Sequence, residues 1–144
     1  MHGLAELKIS GSVLEDAGIL GNFPKLTHLS LTGMPLSDLP ISRSLQKLES
    51  LDLENTSVSK LKFLELLPGL ISLNISGTQV KSLSLVASLQ SLEEIEFNNT
   101  AIKNIRPLEG LNKLNSVYCF NTRISAKNIE KFKKLKPACK VVYY

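Results

Sequence analysis

Glu94 and Glu96 stand two residues apart in Leu92-Glu93-Glu94-Ile95-Glu96-Phe97-Asn98, and paired carboxylates on one face of an extended segment could do acid–base chemistry. Same-face strand neighbours lie about 6.5–7 Å apart, near the separations at which glycoside hydrolases use carboxyl pairs. Such work needs one carboxyl protonated while the other stays ionised, which takes an apolar pocket around one of them. The sequence supplies no such pocket, so no residue is assigned a catalytic role. Asp52, Glu54, Asn74 and Glu96 offer enough oxygens for a calcium ion, but no loop wraps a cation there and no metal site is predicted. His2 and His28 are the only imidazoles and lie too far apart for a metal pair; His28 reads as an outward contact residue. Zinc spacing, a nucleophile motif and a glycine-rich phosphate loop are all missing, so no cofactor is implied.

The two cysteines are too few for a disulfide scaffold. Cys119 reads as a small buried hydrophobe and Cys139 lies in the terminal apolar run. Neighbouring strands run about 4.8 Å apart, so a bridge between the two stays open. The net charge is +4, and much of the positive charge is terminal: Arg123, Lys127, Lys131, Lys133, Lys134, Lys136 and Lys140. A nucleic-acid site would interleave such cations with arginines or stacking aromatics, and only Tyr143 and Tyr144 are near. The lysines therefore read as a solvated face, with no nucleic-acid partner. No apolar run is long enough to span a membrane.

What positions these residues is a period. Leucine recurs every 22 residues at Leu4, Leu26, Leu48, Leu70, Leu92 and Leu114, and three more apolar columns keep step. They read Leu7, Leu29, Leu51, Leu73, Ile95, Val117; then Ile9, Leu31, Leu53, Ile75, Phe97, Cys119; then Leu14, Leu36, Val58, Val80, Ile102, Ile124. The start of each unit alternates in and out, which predicts a strand with Glu94, Glu96 and Asn98 facing away from the core. A bend follows at Gly11, Gly33, Asn55, Gly77, Asn99 and Asn121, residue types that accept a left-handed backbone. Next comes Ser12, Met34, Thr56, Thr78, Thr100 and Thr122. Where this column carries a hydroxyl, it is expected to satisfy backbone groups of the bend and of the neighbouring coil. Pro24, Pro40, Pro68 and Pro107 punctuate the return half, which suits 3₁₀ turns or extended chain better than long helices.

The last unit differs. Ser125 is a good N-cap, Ile129, Phe132 and Leu135 mark an apolar helical face, and Pro137 is a stop. Residues 125–144 are thus expected to form a helix and strand that close one end of the stack. The other end shows no cap. Leu4, Leu7 and Ile9 would face water, which predicts either weak self-association through that edge or an upstream segment covering it.

The L-x-x-L-x-L columns are those of a leucine-rich repeat. Ile102-Lys103-Asn104-Ile105-Arg106-Pro107-Leu108-Glu109-Gly110-Leu111 resembles the return segment of bacterial internalin-type repeats, and the resemblance covers residues 4 to about 124. Threonine replaces that family's usual asparagine ladder. With the C-terminal helix and the Cys139-Lys140-Val141-Val142-Tyr143 run, this is similar to repeat domains of Gram-negative secreted or envelope proteins. The implied fold is one α/β domain over 1–144: a right-handed solenoid with a parallel sheet on its concave face, a 3₁₀ or extended convex side and a helix–strand cap. The abrupt start at Leu4 suggests a segment of a longer protein. The resemblance implies a secreted or envelope location; no signal peptide is visible, and a cytoplasmic one stays open.

The function this implies is non-enzymatic recognition of a protein partner, or adhesion, through the concave face. The candidate contact residues are Asp52, Glu54, Asn74, Glu94, Glu96, Asn98, Tyr118 and Phe120. The alternation that buries Val117 and Cys119 drives Tyr118 and Phe120 outward as an aromatic pair. Alternative readings are a structural or assembly domain of a larger protein and a carbohydrate-binding module.

Overall fold

The computed structural model describes residues 3–11, 17–39 and 41–144. Ser12, Leu14 and Pro40 lie outside the described residues. Seven strands form one parallel sheet in sequence order: β1 (Glu6–Lys8), β2 (His28–Ser30), β3 (Ser50–Asp52), β4 (Ser72–Asn74), β5 (Glu94–Glu96), β6 (Ser116–Tyr118) and β7 (Lys140–Val142). Each of the first five pairings is in register at a 22-residue offset, as in Leu73↔Ile95. The period of the sequence is therefore the pitch of one coil. Short 3₁₀ turns at Ala17–Asn22, Arg43–Leu45, Lys62–Leu66, Ser84–Ser88 and Arg106–Leu108 build the convex side. The fold is the α/β leucine-rich repeat solenoid that the columns imply.

The core is the apolar columns stacked coil on coil. Leu29, Leu51, Leu73, Ile95 and Val117 are buried, as are Leu31, Leu53, Ile75, Phe97 and Cys119. All six bend residues adopt positive φ: Gly11, Gly33 and Gly77 at 65°, 72° and 66°, and Asn55, Asn99 and Asn121 at 56°, 55° and 52°. Asparagine is the non-glycine residue that best accepts this conformation, so the two types alternate freely in one column.

The threonine column works differently from expectation. Thr56, Thr78, Thr100 and Thr122 each donate a hydroxyl to the carbonyl three residues back, at 2.8, 2.6, 2.7 and 3.1 Å, within their own coil. They pin the bend and do not bridge coils. Side chains that do bridge coils sit on the concave edge: Ser76 Oγ accepts the Asn98 N–H at 3.0 Å, and Asn98 Oδ1 accepts the Phe120 N–H at 2.8 Å.

At the C-terminal end, helix α1 (Ala126–Leu135) is capped by Ser125, whose side chain accepts from the Asn128 N–H. Ile129 and Phe132 close over the stack and are fully buried, whereas Leu135 is 58% exposed and takes no part. Lys136 Nζ ties the helix end to the Leu111 carbonyl at 2.8 Å. β7 then adds a strand to β6, but at a 24-residue offset (Ser116↔Lys140). That shift decides the cysteine question. Cys139 precedes Lys140 and so falls opposite Asn115, four residues or about 13 Å along the strand from Cys119. A bridge needs Cα atoms within about 7 Å, and both cysteines are free and buried. Burial pushes the Cys119 thiol up to about 12.

At the opposite end β1 has no outer partner strand among the described residues, and Leu4, Leu7 and Ile9 are only partly buried against the core.

Candidate binding face

Strand alternation and the common register set the outward side chains in rows across the sheet, about 4.8 Å from strand to strand. One row runs Asp52, Asn74, Glu96, Tyr118 and ends at Val142. A second carries Ser50, Ser72, Glu94, Ser116 and Lys140. A third follows the strand ends through Glu54, Ser76, Asn98 and Phe120, and by the same register Tyr144 comes next. The eight candidate residues therefore share one surface, between β3 and β6.

Their duties differ. Asp52 Oδ1 accepts the Glu54 N–H at 2.9 Å, and Asn74 Oδ1 accepts the Ser76 N–H at 3.0 Å. With Asn98 holding Phe120, three of the eight spend an oxygen on the backbone. Ser76, whose place in the alternation is outward, is only 3% exposed, and its hydroxyl accepts the Asn98 N–H. Glu54, Glu94 and Glu96 spend no side-chain oxygen in this way among the described residues.

Phe120 is 49% exposed, while Tyr118 is half-buried with the Lys140 ammonium 5.4 Å from its ring centre. The C-terminal strand thus shields Tyr118 in part and leaves Phe120 open. Lys140 and Tyr144, itself 85% exposed, extend the face beyond the residues read from the sequence. The 22-residue count misses them because the cap inserts two residues; the alternation of Cys139, Val141 and Tyr143 was the available signal.

Partial burial raises the pKa of Glu96, and the charges of Glu94, Glu54 and Asp52 push in the same direction. The carboxyl sits at the centre of an acidic cluster on a half-covered sheet surface, so like charge accumulates there. Among the described residues the ion pairs are Glu6–Lys8 at 3.0 Å and Glu130–Lys133 at 3.5 Å, so the central acids carry uncompensated charge. Glu6, by contrast, is lowered by its hydrogen bond to and the charge of Lys8. No group of three or more His, Cys, Asp or Glu side chains among the described residues is arranged to hold a metal ion.

The coil geometry matches known solved structures. An internalin C2 from Listeria monocytogenes superposes with a TM-score of 0.86 at 27% identity, over 96% of this chain and 60% of that one. The chain has the internalin-type leucine-rich repeat fold. An internalin InlF from the same organism gives 0.83 at 21% identity, over 98% of this chain and 43% of that one. A leucine-rich repeat protein of Leptospira interrogans gives 0.78 at 22%, over 97% and 37%. This internalin-like chain therefore spans between 37% and 60% of the length of these neighbours. No protein-family model and no curated protein matches the sequence significantly. No helix among the described residues is long and apolar enough to cross a membrane.

Proposed function

We propose that this internalin-like chain is a non-enzymatic module that binds a protein partner on the C-terminal half of its concave face. The observation that carries this reading is the pairing of Phe120, open on an otherwise polar surface, with the uncompensated acids Glu94, Glu96, Asp52 and Glu54 beside it. Exposed aromatic side chains concentrate binding energy, and surrounding charge selects the partner and speeds encounter. The partner thus presents an apolar pocket ringed by lysine or arginine. The fold supports the general role, since repeat solenoids offer extended surfaces and little enclosed space for chemistry. The neighbouring internalins favour a secreted or cell-surface setting for this chain.

The test is affinity capture of a partner with the parent chain, repeated with Tyr118→Ala plus Phe120→Ala. Loss of the captured protein with an unchanged melting curve supports the reading. Undiminished capture moves the site off this end of the face, and a double variant that unfolds assigns the rings to the core.

A second reading, an assembly domain, is favoured by one observation: the unpartnered β1 edge with its half-covered Leu4, Leu7 and Ile9. Concentration-dependent sedimentation tests it, and a strict monomer at all concentrations rejects self-association.

A further inference from the structure

Two hollows open away from the outward face of the sheet. They lie on the flank where each coil turns from its bend toward its 3₁₀ segment. A groove of about 610 Å³ opens between the third and fourth coils, with Lys60, Lys62 and Lys81 at its rim. Another of about 420 Å³ opens between the fifth coil and α1, lined by Lys103, Arg106 and Lys131. The repeat places these cations in line. Lys81 and Lys103 occupy one column in adjacent coils. Lys62 and Arg106 each begin a 3₁₀ turn, with Ser84 in the same position between them. None of the six makes an ion pair among the described residues, although Glu65 and Glu109 lie at the groove margins. α1 starts at the end of this line with no acidic residue in its first turn, and its dipole adds to the positive potential.

We infer that this flank is a second binding surface, for a linear acidic polysaccharide laid along the solenoid axis across the third to fifth coils and the cap. Coils rise by about 4.8 Å, so three coils and the helix give a track of about 15 Å, enough for several sugar units. Serine and amide side chains alternate with the cations: Ser59, Ser82, Ser84, Gln79, Asn104 and Asn128. Those groups suit sugar hydroxyls, as the cations suit carboxylate or sulfate. Leu61, Leu85 and the lysine stems form an apolar floor for the C–H face of a sugar ring. Neither groove contains an aromatic side chain, so nucleotide bases find no stacking platform. Nor does either offer the unpaired strand edge that would capture an extended peptide.

The experiment measures binding of the full chain to immobilised heparin and to polygalacturonate at physiological salt, with neutral dextran, polyglutamate and single-stranded DNA as competitors. Lys81→Gln plus Lys103→Gln removes two charges from the groove line, and Lys47→Gln plus Lys113→Gln removes two exposed charges elsewhere. Binding to at least one acidic polysaccharide, weakened about tenfold or more by the first pair and under about twofold by the second, supports the inference. Equal losses from both pairs would reduce it to net charge. Competition by polyglutamate or DNA as strong as by free polysaccharide would overturn it, and so would failure to bind either polysaccharide. Tyr118→Ala plus Phe120→Ala leaves this binding unchanged, which separates its outcome from that of the concave face.

Discussion

Asn98 Oδ1 accepts the backbone N–H of Phe120, 22 residues away, at 2.8 Å, so the most exposed ring of the central concave face is held by a side chain of the preceding coil. Asn98 is itself held by the Ser76 hydroxyl. Asn98→Ala leaves the Phe120 N–H without its acceptor and should cost about 1 kcal/mol of stability. Asn98→Asp keeps an acceptor and should cost less. Denaturant titration of both variants checks this; equal losses would mean the amide nitrogen, not the oxygen, matters.

The threonine column should respond according to depth. Thr78→Val strands the buried Ile75 carbonyl and should destabilise by about 1–3 kcal/mol, whereas Thr122→Val, half-buried at the last coil, should cost less because water can replace the hydroxyl. Urea unfolding midpoints of the two variants decide between this ordering and its reverse.

The cap carries a third expectation. Phe132 is fully buried over the last coil, and Phe132→Ala should cost about 3–5 kcal/mol, while the exposed Leu135→Ala should fall within about 0.5 kcal/mol of the parent. A chain truncated after Thr122 should aggregate or unfold. If it stayed monomeric and melted at the parent temperature, the capping role would be lost.

Glu96 sets a pH dependence of unusual sign for a carboxylate. Its folded pKa is raised, so between its ordinary value and the raised one the folded state binds more protons than the unfolded. Stability contributed by this group therefore rises as pH falls through that window, and is lost as pH rises past the folded pKa. Glu96→Gln should remove this slope and slightly stabilise the fold at neutral pH. The gain should stay under about 0.5 kcal/mol, because water still screens a partly exposed group. Thermal melts of parent and variant from pH 4 to 7 show whether the two curves converge at the acid end, as this requires.

The sequence by itself determined most of what depends on a single coil. Leucine columns, in–out alternation at Glu94 and Glu96, left-handed bends at Asn55 and Gly77, the Ser125 cap and the buried Phe132 all follow from local periodicity. The same side chain recurs every 22 residues in the same backbone conformation, so one coil read correctly gives the rest. Only the tertiary structure decided what happens between coils. The two-residue shift of β7 separates Cys139 from Cys119 and brings Lys140 over Tyr118. Ser76 is buried, and its hydroxyl accepts the N–H of Asn98 in the next coil. The raised pKa of Glu96 comes from partial burial, then from Glu94 on its own strand and Glu54 and Asp52 at the end of β3, and the flank grooves from cations that no local motif groups together. Contacts across coils join residues some 22 positions apart, and their hydrogen bonds and summed charges depend on the stacking register and side-chain reach, which a local pattern does not contain.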